Sequence, residues 1–187
     1  MEINEALAEY QRYTYEDYYS WDDDKRWELI DGLPYAMSAP NQKHQETSGN
    51  LFNLLHSFLK GSPCKVFAAP FDVRLNADTY DDTVVQPDIL VVCDKSILDG
   101  KSCRGTPDLV VEILSPSTAM LDKIVKFRRY LSAGVREYWI VDPESNTVSV
   151  NILKNGEYVA VPYAGDESIP VHVLEGCVID LKEVFEE

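Results

Sequence analysis

Apolar residues recur along this chain with two periods, and the switches between them mark out the elements. Lys25 to Asp31 and Leu33 to Ser38 read as two strands joined at Asp31-Gly32, a dipeptide that favours a tight hairpin turn. A short helix precedes them near residues 15–20, with Thr14 as its N-cap. Asn41 follows Pro40 and caps a helix from Gln42 to Lys60. There Leu51, Leu54, Leu55, Phe58 and Leu59 form an apolar stripe at helical spacing, and Gly61 stops the run. Lys65 to Leu75 is expected as one strand. Gln86 to Val92 reads as a buried strand with Asp88 at its mouth, and Pro107 to Ser115 as another with Glu112 in its middle. A polar loop with Asp94, Lys95, Asp99 and Gly100 separates the two.

Ser115-Pro116-Ser117-Thr118 ends the Glu112 strand and caps a further helix. Met120, Ile124, Phe127 and Leu131 fall at i, i+4, i+7 and i+11, so that face is expected in the core, and Gly134 ends the helix. Arg136 to Val141 follows as a strand, with Asp142-Pro143 starting a turn. Thr147 to Leu153 and Glu157 to Val161 make a hairpin around Asn155-Gly156. From Cys177 the pattern suggests a last strand and a short helix near 181–185. The order from Gln42 to Val141 is therefore helix, strand, strand, strand, helix, strand. That is an α/β core with a mixed α+β sheet, in which the second helix suits a crossover and the flanking hairpins extend or decorate the sheet. With 187 residues and no clear linker, the chain reads as a single domain over 1–187.

Composition adds boundaries. A hydrophobic content of 45% and a charged content of 26% are ordinary for a globular protein, and no apolar run approaches the length of a membrane span. The start shows no basic and apolar signal segment, so a cytoplasmic location is expected. Cys64, Cys93, Cys103 and Cys177 form no CxxC, and they read as reduced structural thiols rather than zinc ligands or a disulfide frame. The net charge of -15 speaks against a nucleic-acid binder taken whole. Between Lys101 and Arg136, however, seven basic residues face three acids, a local net of +4. That window also holds Glu112.

The chemistry sits in the acids placed within apolar strands. A buried carboxylate without a partner is costly, so such groups are normally paired, protonated or bound to a cation. Asp88 and Glu112 on neighbouring strands would present oxygen ligands of the kind that suit Mg²⁺ or Mn²⁺. Such a cation neutralises a phosphate and lowers the pKa of an attacking water. Lys126 is the first choice for a nearby lysine that stabilises developing negative charge, with Lys123 behind it; both lie on the helix that follows Glu112's strand.

Pro87-Asp88, Glu112-Ile113-Leu114-Ser115-Pro116-Ser117-Thr118, Asp122-x-x-x-Lys126-x-x-x-Tyr130 and Ala133 through Pro143 stand in order along the chain. Trp27-Glu28-Leu29-Ile30-Asp31-Gly32 and Pro40-Asn41-x-x-His44 precede them. Together they resemble the Uma-type restriction endonuclease family of bacteria, long catalogued as a domain of unknown function, within the PD-(D/E)XK superfamily. The resemblance covers most of the chain from about Tyr13. It implies a restriction-endonuclease-like core and a Mg²⁺-dependent nuclease acting on DNA as a homodimer. It also implies that Asp88 and Glu112 are the metal-binding acids, and that Glu28 adds a further carboxylate. The chain departs from the superfamily at Leu114, where the strand lysine would stand; a lysine moved to the following helix, Lys126, fits the same role.

Other readings stay open. Asp88 can cap a turn, Glu112 can form a buried salt bridge with Lys126 or Arg136, and Lys126 can pair with Asp122 on a helix surface. Glu28 can be a cross-strand charge partner, His44 a first-turn polar residue and Asp108 a strand cap. The function itself divides between this endonuclease, a nuclease acting on RNA or branched nucleic acid, and a catalytically silent scaffold or interaction module of the same fold.

Overall fold

A computed structural model describes residues 11–115 and 120–186. Helix α1 (Tyr15–Tyr19) starts from a reciprocal cap between Thr14 and Asp17. Strands β1 (Trp27–Ile30) and β2 (Leu33–Ala36) form the expected hairpin. Its two turn residues, Asp31 at φ 52° and Gly32 at φ 75°, supply the positive angles that a two-residue turn demands. Helix α2 (Gln42–Phe58) begins at Asn41, whose side-chain oxygen accepts from the His44 amide at 2.9 Å. Strands β3 (Lys65–Ala68), β4 (Asp72–Arg74), β5 (Val84–Val85), β6 (Ile89–Val92), β7 (Ser102–Arg104) and β8 (Leu109–Ile113) follow. A π-helical stretch, Leu121–Lys126, runs into helix α3 (Phe127–Ala133). Strands β9 (Glu137–Asp142), β10 (Thr147–Lys154), β11 (Glu157–Ala164), β12 (Ser168–Pro170) and β13 (Val178–Asp180) and helix α4 (Leu181–Val184) complete the order.

The central sheet has six strands in the order β11-β10-β9-β8-β6-β3. Only β8 and β9 run parallel within it, and the helix ending at Ala133 makes the crossover between them. Side-chain alternation divides its residues between two faces. Ile89, Val91, Leu109, Val111 and Trp139 pack with Leu51 and Leu55 of α2 and with the C-terminal segment. Leu90, Val92, Val110 and Tyr138 pack with Tyr130 and with Ile30, Val73 and Val85 of a second sheet. That sheet has five strands in the order β2-β1-β5-β4-β7. The mixed α+β architecture, the core order and the hairpins agree with the sequence pattern.

Two expectations need correction, and a third falls on residues that are not described. Lys65 to Leu75 is not one strand. β3 belongs to the six-stranded sheet and β4 to the five-stranded one, and the chain changes sheet at Ala69-Pro70. Proline has no amide hydrogen to continue a ladder. The helix face of Met120, Ile124, Phe127 and Leu131 is a core face only at Phe127, which packs against Tyr138 and Tyr158. Met120 is 76% and Ile124 48% exposed, while Asp122, Lys126 and Tyr130 point inward. The caps expected at Ser117 and Thr118 lie outside the described residues.

The cysteines differ as well. Cys64 and Cys93 are joined in a disulfide, whereas Cys103 and Cys177 are free and buried. Strand register explains the bond. Lys65 lies opposite Val92 in the antiparallel pair of β3 and β6, so the next pair outward is Cys64 and Cys93. Spacing along the sequence carries no trace of that pairing.

Candidate active site

Register also brings the two strand acids together. Ile89 lies opposite Val111 in the antiparallel pair of β6 and β8, and one step outward Asp88 meets Glu112. Asp88 is fixed by its own hydrogen bond across the strands: its Oδ2 accepts from the Ile113 amide at 2.7 Å. His44, in the first turn of α2, sets its Nε2 3.3 Å from the same oxygen. Burial works against charge on this imidazole, but the Asp88 hydrogen bond and charge, the Ile113 backbone and Asp122 together hold its pKa above the ordinary histidine value. Its Nδ1 is buried and makes no hydrogen bond among the described residues.

Lys126 is the hub of the site. Its Nζ lies 2.8 Å from Glu28, 3.0 Å from Glu112 and 3.4 Å from Asp122, and the lysine is only 3% exposed. Burial disfavours its charge, yet these three carboxylates outweigh burial and raise its pKa well above the usual lysine value. Glu28 comes from β1 in the other sheet. Its Oε1 also accepts from the Gln86 amide at 2.8 Å, which ties the approach of β6 to the hairpin. Glu112 accepts from Lys126 and, at 2.5 Å, from the Tyr130 hydroxyl.

Three carboxylates, Glu28, Glu112 and Asp122, thus surround one lysine, and Asp88 adds its charge beside Glu112. The balance decides the protonation of Glu112. Burial pushes its pKa well above the ordinary 4.5, Lys126 opposes this, and Asp122, Asp88 and Glu28 push it further up. Tyr130 is also driven up by burial and by Glu112, so it remains a hydroxyl donor. Glu28, His44, Asp88, Glu112, Asp122 and Lys126 all line one pocket of about 270 Å³.

The fit of a divalent cation can be judged from the donors. Among the described residues no set of three or more His, Cys, Asp and Glu side chains is arranged to grip a metal ion by itself. Mg²⁺ does not require one, since it binds through one or two carboxylates and keeps several waters. Asp88 Oδ1 and Glu112 Oε2 accept no hydrogen bond among the described residues, and both residues line the pocket. Hard oxygen donors in a pocket with excess negative charge fit Mg²⁺ or Mn²⁺.

A family model described as "Putative restriction endonuclease" and named Uma2 matches residues 15–182. The chain belongs to the Uma2 family. An uncharacterized protein of Synechocystis sp., slr1290, is 28% identical over 169 residues, which span 87% of this chain and 86% of that protein. A crystal structure titled as a putative nuclease belonging to DUF820, from Anabaena variabilis, superposes with a TM-score of 0.76 at 20% identity. It covers 92% of this chain and 97% of that one, and at this identity the likeness shows the fold.

All four sequence-chosen residues of this Uma2 chain, Asp88, Glu112, Lys126 and Glu28, meet in the pocket. Lys123 is exposed on the outer face of the helix, and Asp108 is structural, accepting from the Cys93 amide at 2.6 Å and pairing with Arg136. Three members were not singled out for the site. Asp122 had been read as a surface ion-pair partner, His44 as a first-turn residue, and Tyr130 only as part of a motif. The spacing Asp122-x-x-x-Lys126-x-x-x-Tyr130, a polar stripe along one helix face, is the signal for Asp122 and Tyr130, and Pro40-Asn41-x-x-His44 is the signal for His44. Among the described residues no helix is long and apolar enough to cross a membrane.

Proposed function

We propose that this protein is a metal-dependent endonuclease that hydrolyses DNA phosphodiester bonds, with one domain over 1–187 carrying the site. The observation that supports this most is the convergence of Asp88 and Glu112, cross-strand neighbours in one pocket with Glu28 and a buried lysine. Asp88 and Glu112 would hold Mg²⁺ or Mn²⁺, which when bound neutralises phosphate charge and lowers the pKa of an attacking water. Lys126 keeps its proton and offers a fixed positive charge to the phosphate oxygens as negative charge builds up. Glu28 and Asp122 orient the ammonium from two further sides, and Glu28 holds Gln86 in place at the same time. His44 and the Ile113 amide fix the Asp88 carboxylate, and Tyr130 fixes that of Glu112.

The test is cleavage of plasmid and of single-stranded DNA in Mg²⁺, Mn²⁺ or EDTA, beside Asp88→Ala and Glu112→Ala. Metal-dependent cleavage lost in both variants, with the fold retained by circular dichroism, is the expected result. Cleavage retained in both would overturn the assignment.

A homodimer is part of the proposal, as the family resemblance implies, and sedimentation of the purified protein tests it. So is a cytoplasmic location. The Cys64–Cys93 bond runs against the reducing chemistry of that compartment, so alkylation of thiols in intact cells decides between them.

One observation favours a second reading. Lys126 already neutralises part of the carboxylate cluster, as a structural ion pair in a catalytically silent module would. Calorimetric titration with Mn²⁺ separates the two: a binding isotherm abolished by Glu112→Ala belongs to the enzyme, and its absence to the silent module.

A further inference from the structure

Beside the carboxylate pocket lies a second one, with four aromatic rings in its wall. It has a volume of about 230 Å³ and is lined by Tyr18, Tyr19, Trp21 and Trp27, by the cations Lys25 and Arg26, and by the acids Asp23 and Asp72. The two pockets are continuous in their walls, because Arg26 and Gln86 line both. Trp27 directly precedes Glu28 on β1, so this strand carries both an aromatic wall and a site carboxylate.

Tyr19 is exposed, whereas Tyr18, Trp21 and Trp27 are half-buried, so each ring keeps some surface toward solvent. α1 buries none of its residues, although Tyr15, Tyr18 and Tyr19 are three of its five. Trp21 packs edge-on against Tyr13, Tyr18 and Trp27, with ring centroids 5.1, 5.6 and 5.9 Å away. Tyr19 is 58% exposed. Half-burial is enough to hold α1 against β1, and it leaves ring area lining the pocket. The polar rim is ordered: Gln86 accepts from Arg26 at 2.7 and 3.1 Å and donates to the Tyr18 hydroxyl at 2.9 Å. Lys25 stands over Trp27 at 5.7 Å and Lys101 over Tyr19 at 4.7 Å.

Aromatic faces with cations beside them are the chemistry that holds unstacked nucleobases, and every base has a π-face to offer. A stacked duplex presents no such face at its sides. It also carries one phosphate per about 1.7 Å of axis, which a chain of net charge -15 repels. We propose that this aromatic vestibule binds an unpaired nucleobase of the substrate strand, next to the phosphodiester taken into the carboxylate pocket. The inference rests on the nuclease reading for its neighbour but concerns a separate surface. It makes the substrate a single strand or an unpaired segment. The shared ligand chemistry is the unpaired base with its phosphate, in DNA or in RNA.

Binding is measured in EDTA at fixed salt, so that cleavage plays no part. Oligothymidylate, oligouridylate and a duplex of matched length are titrated while tryptophan fluorescence is followed. Two of the three tryptophans line the vestibule, so base stacking quenches the signal. A single strand is expected to bind more tightly than the duplex, and the DNA and RNA arms show which sugar is preferred. Trp21→Ala weakens single-strand binding by about ten-fold, in line with the usual contribution of one stacked base, and Trp21→Phe restores most of it. Tyr19→Ala, at an exposed position that leaves the fold intact, weakens it in the same direction and decides the matter if Trp21→Ala does not fold.

Unchanged affinity in the folded variants, no binding at all, or a duplex bound as tightly as the single strand overturns the inference. Its failure is separable from that of the nuclease reading. Cleavage lost in Glu112→Ala with unchanged single-strand binding in Trp21→Ala would leave the enzyme and remove the vestibule. Binding lost in Trp21→Ala by a protein that cleaves nothing would do the reverse.

Discussion

Lys126→Met removes the positive charge that three buried acids share, and its cost follows from the geometry. The ammonium meets Glu28, Glu112 and Asp122 at 2.8, 3.0 and 3.4 Å, with 4% of its side chain exposed. The methionine keeps the aliphatic volume, so packing loss is small. What remains is a set of buried carboxylates without their cation, and breaking a buried pair from one side costs about 3–5 kcal/mol. Part of that is recovered, because Glu112 is already pushed toward its protonated form and takes up a proton more readily once the lysine is gone. The lower end, about 3 kcal/mol, is therefore expected, a large share of the ~5–15 kcal/mol that holds a domain folded. Urea unfolding in EDTA near neutral pH, followed by circular dichroism, reads it as a midpoint lowered by about 1–2 M with an unchanged slope. Adding Glu112→Gln to Lys126→Met removes one of the stranded charges and is expected to recover about 1–2 kcal/mol. A loss below about 0.5 kcal/mol, the level of an exposed ion pair, would refute the picture of a buried charge hub.

Glu112→Gln alone gives the pH dependence. An acid whose folded pKa is raised contributes stability that is fully present below its unfolded pKa and lost as pH rises through the folded one. Wild type should thus lose stability relative to Glu112→Gln as pH climbs from about 4.5, in urea titrations at stepped pH without metal; a constant difference across that range contradicts it. Alkylation of the unfolded, unreduced protein should label two cysteines, Cys103 and Cys177, and reduction should expose all four. Reduction should also lower stability by about 3–4 kcal/mol for a loop of this length, and four labelled thiols before reduction would disprove the bond. Glu137→Ala strands the buried Trp139 indole at 2.8 Å and the part-buried Val173 amide at 2.9 Å, and should cost about 2–4 kcal/mol in thermal unfolding; a loss under about 1 kcal/mol would show that water replaces the carboxylate.

Much of the fold was legible because local chemistry and tertiary structure agree. Asn41 and Thr14 cap the helices they were expected to cap, and Asp31-Gly32 and Asn155-Gly156 take the positive φ values their turns need. Asp88 and Glu112 could be chosen because carboxylates stand out in apolar strands. The misreadings arose where a property depends on a partner distant in sequence. The disulfide depends on the register of β3 with β6, which no local pattern encodes. The strand expected over Lys65 to Leu75 splits because its halves find partners in different sheets. Helix periodicity failed more instructively. Met120, Ile124, Phe127 and Leu131 form a regular apolar stripe, yet the helix buries Asp122, Lys126 and Tyr130 instead. The π-helical stretch alters the angular step that the α-helical period assumes, and the Lys126 ion pairs together with the Tyr130 hydrogen bond to Glu112 outweigh the apolar stripe.

That inversion links the stability predictions to the proposed activity. A protein under selection for stability alone would turn its apolar stripe inward and keep an excess of carboxylates out of its core. Here three acids share one lysine with a fourth, Asp88, beside Glu112, and Glu112 is held where its charge is disfavoured. The surplus is what a divalent cation would relieve, because it lets the acids ionise together and stabilises the folded state by its own binding. The same substitution therefore separates the two demands. Glu112→Gln should be at least as stable as wild type in EDTA, should gain little from added Mn²⁺, and should not cleave. Wild type should be less stable than the variant without metal and should overtake it as Mn²⁺ is added. If the variant is instead the less stable of the two in EDTA, the Lys126–Glu112 pair is a net stabiliser, and the structural ion-pair reading of the cluster gains over the metal-binding one.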